Sequence, residues 1–348
     1  MENILSLLIW IPILSGLALL FFTKKSYFID IYNIIINSLV FALSVFLLLN
    51  FDVKSSDFQF VEILKWIPSL NINYHLGVDG ISTLLILLNT IIFLIVAFYN
   101  FTLNLKKRNQ YYASFLIASG LTIGVFSALD AMLFYIFFEA LLIPMFIIIG
   151  VWGGANRIYA AIKFFIYTFL GSVLLLISFL YINSSISSFN VLSFYEASFS
   201  LIEQKWLFVA MAIAFAIKIP MFPFHTWLPD AHVQAPTSGS VILAAILLKV
   251  GAYGFIRFVI PVVPLGASAL DIYFIVLSII AIVYVGMIAI SQNDMKKLIA
   301  YSSISHMGFV TLGFFIIFQL FENTSSKSDL IISLSGSIYQ IISHGFIS

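Results

Sequence analysis

Glu139 in FYIFFEALLIP, Lys218 in FAIKIPMFP and Lys249 in AAILLKVGAYG each place an ionisable side chain in the middle of an apolar run. An Asp, Lys or Arg at the centre of a membrane helix costs about 2.5–3.5 kcal/mol on insertion scales, so each must face protein or water rather than lipid. One such charge is often a paired structural ion; three at similar depth read as proton carriers. His306 in SSISHMGF and His344 in IISHGFIS sit among serines and glycines. Histidine titrates near neutrality, which suits a relay, although a hydrogen-bonded structural histidine is the competing reading. Lys163 in AAIKFFIYT lies near the start of its run, where a long basic side chain can snorkel to the headgroups; inside the bundle it would tune its neighbours instead.

Prolines follow Lys218 at 220, 223, 229 and 236 in AIKIPMFPFHTWLPDAHVQAP. Pro220 lacks an N–H and clashes with the carbonyl four residues back, which predicts a helix that kinks or ends just after Lys218. Irregular backbone at membrane depth survives only where protein or a water-filled cavity satisfies it, so the break predicts water beside the lysine. Pro144, five residues beyond Glu139, should loosen that helix in the same way. A buried lysine loses proton affinity by desolvation and regains it beside a carboxylate, so a Glu139–Lys218 pair would be a site whose affinity depends on their separation.

The elements that must hold these groups are membrane spans. The chain of 348 residues is 62% hydrophobic and 9% charged, against about 25% charged in a soluble domain. Apolar runs predict eleven helices near 3–22, 28–50, 79–103, 111–128, 131–150, 159–182, 206–221, 238–260, 270–290, 297–320 and 328 to the end. The first run opens with Glu2 and ends at Lys24–Lys25 without a small-residue cleavage site, so it reads as a span rather than a signal peptide. Odd-numbered connections hold Lys24, Lys25, Lys106, Lys107, Arg108, Arg157, Lys296 and Lys297. The N-terminus and the even-numbered connections hold the acids: Glu2, Asp52, Asp57, Glu62, Asp79, Asp130, Glu196, Glu203, Asp271, Glu322 and Asp329. The positive-inside rule then puts the odd connections in the cytoplasm and the N-terminus outside, with Lys54, Lys65, Lys205, Arg257 and Lys327 as the minority. The last span stops at HGFIS without a polar tail, so the sequence reads as unfinished.

Other signals are weak. No cysteine is present, which excludes disulfides and Cys-ligated iron–sulfur clusters on this chain. A net charge of +1 argues against a nucleic-acid partner. GVWGGANR, residues 150–157, follows an apolar helix rather than a strand and reads as a tight turn. His225, Asp230 and His232 match no common metal-ligand spacing.

The stretches FYIFFEALLIPMFIIIGVWGGANRIYAAIKFFIYTFLGS, KIPMFPFHTWLPDAHVQAPTSGSVILAAILLKVGAYGFIRF and MKKLIAYSSISHMGF closely resemble the antiporter-like membrane subunits of respiratory complex I, NADH:quinone oxidoreductase. Within them the likeness is to the bacterial subunit M family, the counterpart of mitochondrial subunit 4. The resemblance implies an all-α polytopic membrane fold of about fourteen helices, with inverted repeats and a broken seventh helix, of which about eleven are present. It divides the chain into helices 1–3 (residues 1–110), a first repeat of helices 4–8 (111–260) and an incomplete second repeat (261–348). It carries over the fifth-helix acid onto Glu139, the seventh-helix lysine onto Lys218, the eighth-helix lysine onto Lys249 and the relay histidine onto His306. His344 is added as a possible relay and Lys163 as a possible tuning residue.

The resemblance also implies that the chain binds no cofactor itself, with NADH, flavin, iron–sulfur clusters and quinone on partner subunits. Its expected partners are the other membrane subunits of the complex, neighbouring antiporter-like subunits included, and the lipid bilayer, with the chain multi-pass in a bacterial inner membrane. The rival expectations are a subunit of a multisubunit cation/proton antiporter and, further off, a membrane cytochrome with His306 and His344 as haem ligands.

Overall fold

The computed structural model describes residues 3–21, 26–103, 105–324 and 327–348. Glu2, Lys24 and Lys25, used above for orientation, lie outside the described residues. Among the described residues the regular structure is helical apart from one hairpin, and the chain divides into two compact units. The first contains residues 1–153, 188–190 and 235–242; the second contains 154–187, 191–234 and 243–348.

In the first unit the helices are α1 (Ile4–Phe21), α2 (Ser26–Leu49), α3 (Gly80–Phe101), α4 (Arg108–Ser127), α5 (Ala131–Ala140) and α6 (Leu142–Trp152). The apolar run around Glu139 is thus one span in two pieces, parted at Leu141, in line with the expected loosening by Pro144. Helices α1 and α4 are in close contact, because a Cβ on Gly120 would stand 2.4 Å from the carbonyl oxygen of Ile9. Only glycine permits backbones that close. Arg108 of α4 forms an ion pair with buried Asp30 of α2, and Tyr112 donates a 2.7 Å hydrogen bond to the same carboxylate.

Between α2 and α3 the structure has a hairpin that the sequence reading did not anticipate. Strands β1 (Gln59–Ile67) and β2 (Ile72–Val78) pair antiparallel around Asn71, which adopts the left-handed region at φ 54°. Asparagine tolerates that conformation better than most residues. Glu62 of β1 is buried and accepts hydrogen bonds from the backbone N–H of Leu5 (2.8 Å) and Ser6 (3.2 Å). Those donors are among the amides at the start of α1, so a strand carboxylate helps to cap the helix from outside its own sequence.

In the second unit lie α7 (Arg157–Ile186), the short α8 (Val191–Glu196), α9 (Leu201–Lys218) and α10 (Trp227–Gln234). Then come α11 (Thr237–Val262, whose first turns belong to the first unit), α12 (Pro264–Ile290), α13 (Met295–Thr324) and α14 (Lys327–Ile347). Ser200 and Glu203 close a reciprocal capping box at the start of α9. The stretch FHTWLPDAHVQ, expected as a connection, is a 3-10 turn followed by α10.

Every predicted span falls on a helix, and among the described residues eight helical segments are long and apolar enough to cross a membrane. Helix α1 is a shorter apolar segment. Helices α4 and α9 carry Arg108, Asn109 and Gln110, and Glu203, Gln204, Lys205 and Lys218 respectively, which lowers their apolar character. The chain is therefore a multi-pass, mostly helical membrane protein, the expected all-α fold with the hairpin added.

Candidate functional site

Glu139 sits on the last turn of α5 and is half-buried. The start of that helix is fixed by Asp130, whose Oδ1 accepts from the N–H groups of Met132 (3.0 Å) and Leu133 (3.1 Å). Its Oδ2 accepts from the N–H of Asn73 on β2 at 3.0 Å. Leu129 N–H donates to the carbonyl of His75 at 2.8 Å, and Ala131 N–H to that of Phe189 at 2.7 Å. One buried carboxylate therefore caps α5 and pins it to the hairpin. Burial pushes the Asp130 carboxyl above the usual carboxylate range, while the three backbone donors pull it back.

Lys218 is the last residue of α9 and is 1% exposed. The helix ends where Pro220 requires it to, and the carbonyls this leaves are taken up by protein. Met221 N–H donates to Ala216 O at 2.8 Å, and the buried Trp227 indole N–H donates to Ile217 O at 2.8 Å. The sequence reading allowed either protein or a water-filled cavity to satisfy this backbone; for these two carbonyls it is a backbone N–H and an indole. The ammonium of Lys218 lies 5.8 Å from the Phe164 ring centroid, within cation–π reach. The end of α9 rests on α11 at Gly251, where a Cβ would stand 2.8 Å from Ile219 N and 3.0 Å from Lys218 Cβ.

Two residues before Gly251, Lys249 is completely buried. Residues Leu243–Leu247 form a π turn, and Lys249 Nζ donates to the carbonyl of Ala244 at 2.7 Å. A π turn inserts one residue and leaves a carbonyl free to bind a side chain, which is why such turns gather at functional sites. On its other side Lys249 Nζ is 2.5 Å from His344 Nδ1 of α14. His306 of α13 completes the group, its ring edge-on to that of His344 with centroids 5.6 Å apart. The ammonium donates when Nδ1 is unprotonated; with the proton on Nδ1 and the lysine neutral, the same bond runs the other way. The arrangement can therefore hand one proton between two nitrogens without moving either side chain.

Lys163 forms a 2.6 Å ion pair with Asp230 of α10, at a site where the two side chains are 20% and 41% exposed. Asp230, weighed on the sequence only as a metal ligand, is thus the partner of that lysine. Of the connection histidines, His225 stacks on Phe222 with centroids 5.5 Å apart, and burial lowers its pKa. Burial, with Lys296 as a second cause, pushes His232 down to about 4. His75 is lowered by burial in β2.

The structure brings Lys249, His306 and His344 together, sets Lys218 at the break beside Gly251 and puts Lys163 on Asp230. Glu139 belongs to the first unit, and Lys163, Lys218, Lys249, His306 and His344 to the second. Sequence reasoning missed the Asp130 anchor, although an Asp directly before an apolar helix is a capping signal. It also missed the Ala244 carbonyl and the Trp227 indole, for which residue types carry no local signal.

Over residues 128–348 the chain matches the family described as NADH:quinone oxidoreductase/Mrp antiporter, TM. That match and the helical fold define an antiporter-like membrane subunit. The chain is 47% identical over 351 residues to NADH-quinone oxidoreductase subunit M of Rickettsia prowazekii (strain Madrid E), an alignment covering 99% of this chain and 69% of that one. It is 42% identical over 346 residues to NADH-ubiquinone oxidoreductase chain 4 of Arabidopsis thaliana, covering 99% and 68%. Among solved structures, respiratory complex I from Thermus thermophilus with bound NADH contains a chain that superposes with a TM-score of 0.81 at 27% identity, covering 99% and 71%. The chain belongs to the subunit M family of NADH-quinone oxidoreductase.

Proposed function

We propose that this chain translocates protons as a membrane subunit of NADH:quinone oxidoreductase, with the redox chemistry carried by partner subunits and no cofactor of its own. The observation that carries the reading is the 2.5 Å contact between Lys249 and His344, two proton-binding groups buried among membrane-spanning helices, with His306 alongside. Buried ionisable groups in a membrane bundle mark ion pathways because their insertion is otherwise unfavourable. In this reading Lys218 is loaded at the broken end of α9, Glu139 sets its proton affinity, and Lys249, His344 and His306 pass the proton laterally. Lys163, held by Asp230, tunes the electrostatics near α10. Residues 1–110, 111–260 and 261–348 serve as an N-terminal helical segment, a first repeat and part of a second.

The charge alternation of the connections supports a cytoplasmic-membrane orientation with the N-terminus outside and Lys296 and Lys297 inside. Its partners are the other membrane subunits of such a complex. The rival antiporter subunit shares the fold, and the identity to named NADH-quinone oxidoreductase subunits favours the redox-linked complex. The test is Lys218→Ala in the assembled complex, reading protons pumped per NADH oxidised in sealed vesicles. The ratio should fall while NADH oxidation persists; an unchanged ratio removes Lys218 from the path.

A further inference from the structure

A cavity of about 200 Å³ opens between the end of α12 and the start of α13, and none of the proposed steps uses it. It is lined by Gly286, Ala289, Ser302 and Ser305 together with the exposed Ile290 and Leu298, which flank the Lys296–Lys297 connection. His306 lines it as well. At about 30 Å³ of liquid volume per molecule, that space holds several waters.

Two hydroxyls on its wall can hold them. Residues Ala281–Val285 form a π turn directly before Gly286, and Ser305 Oγ donates to the carbonyl of Ile282 within it at 3.0 Å. Ser302 Oγ donates to Ile299 O at 2.9 Å, an ordinary hydrogen-bond length. With their protons committed to backbone, both hydroxyls have lone pairs left to accept from water. Gly286 keeps the passage open, because a Cβ there would come within 3.3 Å of Ser305 Oγ.

We propose that this groove is a second proton inlet, leading from the Lys296–Lys297 face along Ser302 and Ser305 to His306, and separate from the broken end of α9. Protons arriving here join the relay at His306 and reach Lys249 through His344 without first occupying Lys218. The inference rests on the relay role given to His306 above.

The chain has no cysteine, so Ser302→Cys places a single thiol on this subunit. Assembled complex carrying it is treated, in sealed vesicles of each orientation, with a charged, membrane-impermeant methanethiosulfonate reagent, and labelling of this subunit is read by mass. Asn293→Cys, exposed in the same connection, reports which face the reagent has reached. Ser302→Cys should label from the face that labels Asn293→Cys, and the bulky adduct should cause a loss of protons pumped per NADH oxidised relative to the same protein before treatment. No labelling from that face, labelling from the opposite face alone, or labelling without a change in the ratio would each overturn the inlet. Gly286→Ala, a milder change, should slow labelling of Ser302→Cys; labelling at the parent rate counts against Gly286 as the opening. Labelling needs no turnover, so its failure leaves the Lys218→Ala result standing, and the converse also holds.

Discussion

Asp130 is the point where the hairpin, the turn after α4 and the Glu139-bearing helix are tied to one side chain, and its two oxygens do separable work. Oδ1 caps α5 through Met132 and Leu133, while Oδ2 holds the Asn73 amide of β2. Asp130→Ala removes a helix cap, at about 0.5–2 kcal/mol, and leaves the Asn73 donor without its acceptor, at about 1–3 kcal/mol. The sum is about 1.5–5 kcal/mol, or roughly tenfold to a few thousandfold in the local opening equilibrium. Asp130→Asn keeps an oxygen at Oδ1 and puts an NH₂ where Oδ2 was, facing another donor. It should therefore spare the cap and lose only the strand contact, about 1–3 kcal/mol or roughly 5- to 150-fold. Amide hydrogen exchange of the detergent-solubilised complex reads both ends, since protection reports local opening. In Asp130→Ala, exchange should accelerate around Asn73 and around Met132–Leu133; in Asp130→Asn, around Asn73 alone. Equal losses at Met132–Leu133 in both variants, or an undisturbed Asn73 in either, would refute the division of labour.

Three further outcomes follow from the same geometry. Arg108→Ala strands the carboxylate of Asp30, which is 3% exposed; breaking a buried pair costs about 3–5 kcal/mol, so the complex should inactivate at lower temperature, and Asp30→Asn combined with Arg108→Gln should recover part of the loss. Gly251→Val forces the end of α9 away from α11 at about 1–3 kcal/mol and displaces Lys218, so protons pumped per NADH should fall with NADH oxidation retained. His232 has a folded pKa of about 4 against about 6.5 unfolded. Above pH 6.5 both states are neutral and nothing changes; as pH falls from 6.5 towards 4 only the unfolded segment takes up the proton, so the α9–α11 connection loses stability. Exchange of residues 220–235 should rise across that window, rise less in His232→Gln, and stay flat when His225→Gln is added, because burial lowers the pKa of His225 in the same segment.

Much of this was legible in the sequence, because a bilayer makes residue type speak directly about position. Glu139, Lys218 and Lys249 were conspicuous as charges where lipid admits none, and Pro220 fixed the end of α9 to the residue. The hairpin was hidden, because QFVEILKWI and INYHLGV are short runs between longer apolar ones and pairing across them is not local. The cap of α1 was hidden for the same reason: Glu62 reaches Leu5 across 57 residues. The π turns at Leu243–Leu247 and Ala281–Val285 had no signature in residue type, yet they supply the carbonyls that hold Lys249 and Ser305. Ionisable residues were found by their oddness; the backbone groups that position them are the same in every residue and so left no mark.

The central claim is that Lys249 and His344 act as one proton-passing unit, and a double-variant cycle on the pumping stoichiometry tests it most directly. Protons pumped per NADH oxidised would be measured in sealed vesicles for Lys249→Ala, His344→Gln and the double variant. Residues acting in series are non-additive, so each single variant should lower the ratio and the double should be no worse than the more severe single. A ratio unchanged in both single variants, or losses that simply add in the double, would contradict the claim.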